Sequence, residues 1–159
     1  MTDKSRDSSK PDVASDADYM RQCLGIGSEA ARRGETPVGA ILVREGKVFT
    51  SAEEATRSNM DVTAHAEVLA IRKATEALGS MDLTGCTLFT NVEPCVLCSY
   101  AIRRTRIDRV VIGAPTGSLG GVSSEHPILI ESDIPGFGDP PEITEGVLLA
   151  ECLALLNKR

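Results

Sequence analysis

Two short motifs carry the chemistry of this chain: His65-Ala66-Glu67 and Pro94-Cys95-Val96-Leu97-Cys98. Together they offer one imidazole, one carboxylate and two thiols. Imidazole nitrogen and thiolate sulfur are donors that zinc takes, and three protein ligands leave a fourth tetrahedral position open. That pattern marks a catalytic rather than a structural site. His65, Cys95 and Cys98 are therefore the expected ligands of one zinc ion per chain. Zinc with an open position lowers the pKa of water from ~15.7 to about 7. Glu67 is the side chain expected to carry the proton in a hydrolytic reaction.

The spacing asks for particular elements. Cys95 and Cys98 are three apart and share a face if they open a helix. His65 and Glu67 are two apart, so both can flank one site only from a first helical turn. Helix starts carry free N–H groups and partial positive charge, which favour thiolates. Taken alone, Cys-x-x-Cys also fits a thiol redox pair or half of a structural zinc site. The structural site needs a fourth ligand, and the only spare histidine is His126, in a Ser-Glu-His-Pro stretch. His126 reads either as a loop residue or as a pocket contact.

Apolar periodicity supplies the elements. A helix is predicted from about Asp18 to Arg33, stopped by Gly34. Val38 to Val43 and Val48-Phe49 read as a hairpin turning at Gly46. A polar loop, Glu53 to Val62, leads to a helix from about Ala64 to Leu78, with Thr63 as N-cap and Gly79 as stop. Thr87 to Asn91 is a strand, and Pro94 opens a helix from about Cys95 to Arg104. Arg109 to Gly113 is a buried strand. The Gly/Pro/Ser-rich stretch Ala114 to Pro141 holds a strand or short helix at Ile128–Ile130, and Pro135 to Pro141 is a candidate lid. Glu142 to Thr144 is a last strand and Val147 to Leu156 a closing helix. Strands alternating with helices imply a layered α/β domain.

Composition narrows the function classes. A net charge of −6 argues against broad contact with a phosphate backbone. The cluster Arg103, Arg104, Arg106 and Arg109 reads as a helix C-terminus complementing its dipole, or as a local basic patch. No apolar run approaches the ~20 residues of a membrane helix, and no membrane association is expected. Five cysteines, an odd number, argue against a disulfide framework. Cys23, Cys86 and Cys152 are expected in the core. Met1 to Asp18 resembles neither a signal nor a transit peptide, so a cytoplasmic location is expected.

At these residues the chain resembles the cytidine deaminase superfamily, in the branch of guanine and cytosine deaminases and tRNA adenosine deaminases. Pro37-Val38-Gly39-Ala40, Thr63-Ala64-His65-Ala66-Glu67, Val92-Glu93-Pro94-Cys95 with Cys98, Arg109 to Ala114 and Glu142 to Val147 carry the likeness. The resemblance implies a three-layer α/β/α fold with a five-stranded mixed sheet. It also implies a homodimer or larger assembly, and hydrolytic deamination with Glu67 as proton shuttle. Residues 1–17 are expected to be a disordered segment and 18–159 the deaminase domain. Glu54, Ala66 and Glu93 are the expected substrate-binding residues.

Two departures from that branch bear on the substrate. Where the branch has an asparagine that hydrogen-bonds the base, thirteen residues before the catalytic glutamate, this chain has Glu54. An ionised carboxylate only accepts hydrogen bonds. In the pocket it would select a ring with N–H donors on the facing edge; otherwise it is a solvated loop residue. The stretch Pro115 to Gly121 also lacks the basic residues of tRNA deaminases. The sequence therefore predicts deamination of a small aminated heterocycle of guanine, aminopyrimidine or aminotriazine type, releasing ammonia. The alternative is tRNA-specific adenosine deamination, with tRNA as partner. The non-enzymatic alternative is a zinc-stabilised interaction module.

Overall fold

The structure is a computed structural model that describes residues 14–158. The elements run α1 (Asp16–Arg32), β1 (Gly39–Arg44), β2 (Lys47–Glu53), α2 (Ala66–Leu78), β3 (Cys86–Val92), α3 (Val96–Arg104), β4 (Arg109–Ala114), β5 (Glu142–Thr144) and α4 (Leu149–Leu156). The sheet order is β2-β1-β3-β4-β5. β1 pairs antiparallel with β2 and β3, while β3, β4 and β5 run parallel.

The central strands are apolar on both faces because helices cover both. Leu42, Leu88, Val110 and Ile112 point to one side, where Ala66, Ala70 and Ala74 of α2 and Ile102 of α3 pack. Ile41, Phe89 and Val111 alternate to the other, against Met20 and Cys23 of α1 and Cys152 of α4. Two cores on one sheet make the expected three-layer mixed-sheet fold. Cys23, Cys86 and Cys152 are fully buried thiols, as expected.

Several boundaries differ from the sequence reading, each for a local reason. Helix α1 starts at Asp16 because Ser15 and Asp18 form a reciprocal capping box. Its first two residues thus fall inside the segment expected to be disordered; residues 1–13 of that segment lie outside the described residues. His65, not Thr63, is the N-cap of α2. Thr63 instead bonds Asp61 through its N–H and hydroxyl, at 2.9 and 2.7 Å. Cys95 caps α3, which leaves Pro94 outside the first turn, its carbonyl accepting from the Gly121 N–H at 2.8 Å. Ile128–Ile130 forms a turn, neither strand nor helix.

Three of the four clustered arginines are engaged within the fold, and Arg106 is exposed. Arg103 is buried and donates to the carbonyls of Ile128, Glu131 and Gly138 at 2.8–2.9 Å, with its guanidinium over the Phe137 ring. Arg104 donates to the Gly136 carbonyl. Arg109 makes a bidentate pair with Asp16 at 3.0 and 2.6 Å, tying the start of β4 to the start of α1. No helix among the described residues is long and apolar enough to cross a membrane.

Candidate active site

The fold brings the two motifs to one place. The loop after β2 returns to start α2 at His65, and the chain leaving β3 starts α3 at Cys95. The N-termini of α2 and α3 converge there. Neither His65 nor Cys95 spends its side chain on capping; both turn toward the shared space.

The ligand triangle fits zinc. His65 Nδ1 lies 3.5 Å from Cys95 Sγ and 3.5 Å from Cys98 Sγ, and the sulfurs are 3.9 Å apart. A tetrahedral ion with bonds of ~2.3 Å to sulfur and ~2.05 Å to nitrogen sets edges of about 3.8 and 3.6 Å. Among the described residues these three form the one His/Cys/Asp/Glu group arranged to hold a metal. Their proton affinities are coupled. The hydrogen bond between Cys95 and Cys98 draws the Cys95 thiol down to about 4. The same bond and burial push Cys98 above the usual thiol range. The bond to Cys95 raises His65 to about 9.

Glu67 stands beside the triangle. Its Oε2 accepts from Cys98 Sγ at 3.4 Å, and its Oε1 accepts from the Thr90 hydroxyl at 2.9 Å. It is 3% exposed, and burial pushes its carboxyl up to about 7 against those bonds. A group near neutrality can both take and return a proton.

A cavity of about 260 Å³ opens over this cluster, lined by Val38, Glu54, His65, Glu67, Glu93 and Thr116 among others. Its lining contains three carboxylates and no lysine or arginine. Glu54 is 7% exposed and accepts from the Ala66 N–H at the start of α2, at 3.3 Å. Burial raises its carboxyl, opposed by His65 and by that N–H. Of the two readings of Glu54, the structure has the pocket one. Ala66 gives its N–H to Glu54 and packs its methyl in the core. Glu93 lines the cavity, but its carboxylate is occupied by the loop 116–123.

Other expectations fall away from the cavity. His126 is exposed and lines a separate surface groove. Pro135 to Pro141 does not line the cavity and is pinned on the far side by Arg103 and Arg104, so it is no lid over this site. Two supporting residues escaped sequence reading. Thr90 orients Glu67; a threonine directly after the apolar pair Leu88-Phe89, in a strand that leads to the cysteine motif, was the available signal. Glu35 accepts from the Ser58 and Arg57 N–H groups at 2.6 and 3.1 Å, holding the loop that ends at His65. Nothing local in sequence marks Glu35.

Residues 13–114 match the cytidine and deoxycytidylate deaminase zinc-binding region. The chain belongs to this deaminase family. It is a zinc-dependent hydrolase acting on C–N bonds. The deaminase is 41% identical over 113 residues to the tRNA-specific adenosine deaminase of Aquifex aeolicus, covering 71% of this chain and 75% of that one. A solved structure from work on A-to-I editing by tRNA:A34 deaminases matches at TM-score 0.80 and 36% identity, covering 86% of this chain and 97% of the other. The guanine deaminase of Bacillus subtilis matches at TM-score 0.61 and 30% identity, covering 87% and 92%.

Proposed function

We propose that this deaminase hydrolyses the exocyclic amine of a small heterocycle whose facing edge carries N–H donors, of guanine, aminopyrimidine or aminotriazine type. Glu54 carries this reading. Its carboxyl is buried in the cavity wall, where its ionised form accepts and does not donate. A ring presenting an acceptor there would leave a buried polar atom unpaired, at a cost of about 1–3 kcal/mol. The lining agrees, since three carboxylates without lysine or arginine disfavour a nearby phosphate.

His65, Cys95 and Cys98 would hold zinc, which would supply an acidified water. Glu67 takes one proton from the water as its oxygen bonds the amine-bearing ring carbon, gives it to the ring nitrogen, and then carries the second water proton to the departing amine, while Thr90 keeps Glu67 aimed. Glu54 orients the ring. Ammonia leaves.

Sequence identity favours a second reading, deamination of adenosine in tRNA. The similar proteins described as tRNA deaminases are 41% and 36% identical, against 30% for the guanine deaminase. Cavity size does not separate the readings, because a nucleotide flipped out of RNA presents only its base. Membership of a catalytic family sets aside the interaction-module alternative. A homodimer in the cytoplasm belongs to the proposal and is checked by light scattering and cell fractionation.

Ammonia release decides between the substrates. Guanine, cytosine, isocytosine, adenine, aminotriazines, their nucleosides and an adenosine-containing anticodon arm form the panel. Turnover of a free base or nucleoside supports the first reading; turnover of the RNA alone replaces it with the second.

A further inference from the structure

We propose that Glu93 is a positioning residue, a buried carboxylate that clasps the loop 116–123 against the ligand-bearing segment and so builds one wall of the substrate cavity. The inference rests on the deaminase reading of that cavity. It turns on where the carboxylate's hydrogen bonds go. Glu93 is 2% exposed. Oε2 accepts from the N–H groups of Val122 and Ser123 at 2.9 and 3.0 Å. Oε1 accepts from the Ser123 hydroxyl at 2.6 Å and the Thr116 N–H at 3.4 Å. A carboxylate offers about four lone-pair sites, and one loop occupies that number.

Among the described residues Glu93 is the one side chain that makes several hydrogen bonds to this loop. It is built of small residues, and its one large apolar side chain, Leu119, is exposed. Its remaining ties run to the neighbours of Glu93, to the Leu129 N–H, which donates to the Gly121 carbonyl at 3.0 Å, and to the core, against which Val122 packs. The Gly121 N–H donates to Pro94, and Leu119 accepts from the Val96 N–H. Gly120 lies so close that a Cβ there would collide with the Glu93 carboxylate. Thr116 and Glu93 both line the cavity. The same three residues, Glu93 to Cys95, thus present a zinc ligand on one side and hold the substrate wall on the other.

Two variants approach the clasp from opposite sides. E93Q replaces one accepting oxygen with a donating amide, and G120A forces the loop off the carboxylate. Each is measured for kcat and KM on the panel compound that the wild type turns over, for zinc content, and for amide hydrogen exchange at Val122 and Ser123. Both variants are expected to keep one zinc per chain, to raise KM by about tenfold and to change kcat by less than about threefold. Exchange at the two amides should speed by about tenfold or more. A fall in kcat with KM and exchange unchanged in E93Q would overturn the proposal, because Glu93 would then act on the reacting atoms. Unchanged KM in G120A would overturn it equally. Should the wild type turn over nothing on the panel, the proposed substrate reading fails by itself, and the exchange measurement still decides whether the clasp exists.

Discussion

Glu67 and Glu54 are buried carboxylates facing one cavity, yet their partners give them different work. Glu67 touches a zinc ligand and is aimed by Thr90; Glu54 rests on the Ala66 N–H at a helix start. Replacing Glu67 with glutamine should lower kcat by about 10²–10⁴-fold, with metal analysis still finding one zinc per chain. Thr90→Val removes a donor from the Glu67 carboxylate. It should cut kcat by about tenfold and move the acid limb of the pH–rate profile upward, because a carboxylate that loses a donor holds its proton more tightly. Glu54→Asn restores a donor to the wall. Substrate preference should then shift toward rings with acceptors on the facing edge; an unchanged profile across the ammonia-release panel would remove Glu54 from recognition.

The segments that bear these groups owe their placement to contacts of very different range. The loop after β2 is held at its start by Glu35, which takes hydrogen bonds from Ser58 and Arg57. The hydrogen bonds from Ser58, its side chain first, keep Glu35 below its ordinary value. A group depressed in the folded state stabilises fully above its unfolded pKa of ~4.3 and loses that contribution as pH falls through the lower folded value. The wild type should therefore melt higher than E35Q at pH 6, and thermal melts should show the gap closing toward pH 3. This contact also shows where sequence reading ends. His65, Glu67, Cys95 and Cys98 were legible because metal chemistry demands those atoms at those spacings. The alternating apolar strands were legible because two covered faces require them. The pairings of Glu35 and Glu93 were not, because their partners stand 22 to 30 residues away and no local pattern records them. The helix starts were misplaced for a related reason: Ser15 and Cys95 were fixed by cap geometry, which periodicity does not register.

Across the molecule, Arg103 and Arg104 are committed to the 128–138 loop and Arg109 to Asp16, leaving only Arg106 of that cluster exposed without a side-chain partner among the described residues. With a net charge of −6, binding of a small uncharged base should be nearly indifferent to ionic strength. A tRNA substrate would show KM rising steeply between 50 and 200 mM salt, roughly as a power of the salt concentration. Steady-state kinetics at several salt concentrations separate the two readings without identifying the base. Both cores depend on the central strands, so Leu88→Ala should cost ~2–5 kcal/mol in denaturant unfolding.

The His65–Cys95 contact joins points thirty residues apart in the chain. With zinc in place, the segment between them becomes a closed ring containing α2 and β3. Met81, on the turn between those elements, is 79% exposed. A chain severed there would be divided so that one fragment kept His65 and Glu67 and the other kept Cys95 and Cys98. Neither piece alone would own three ligands. Deamination would return only when the fragments met again, which makes this turn a natural place to split the protein into two halves whose reunion is reported by ammonia.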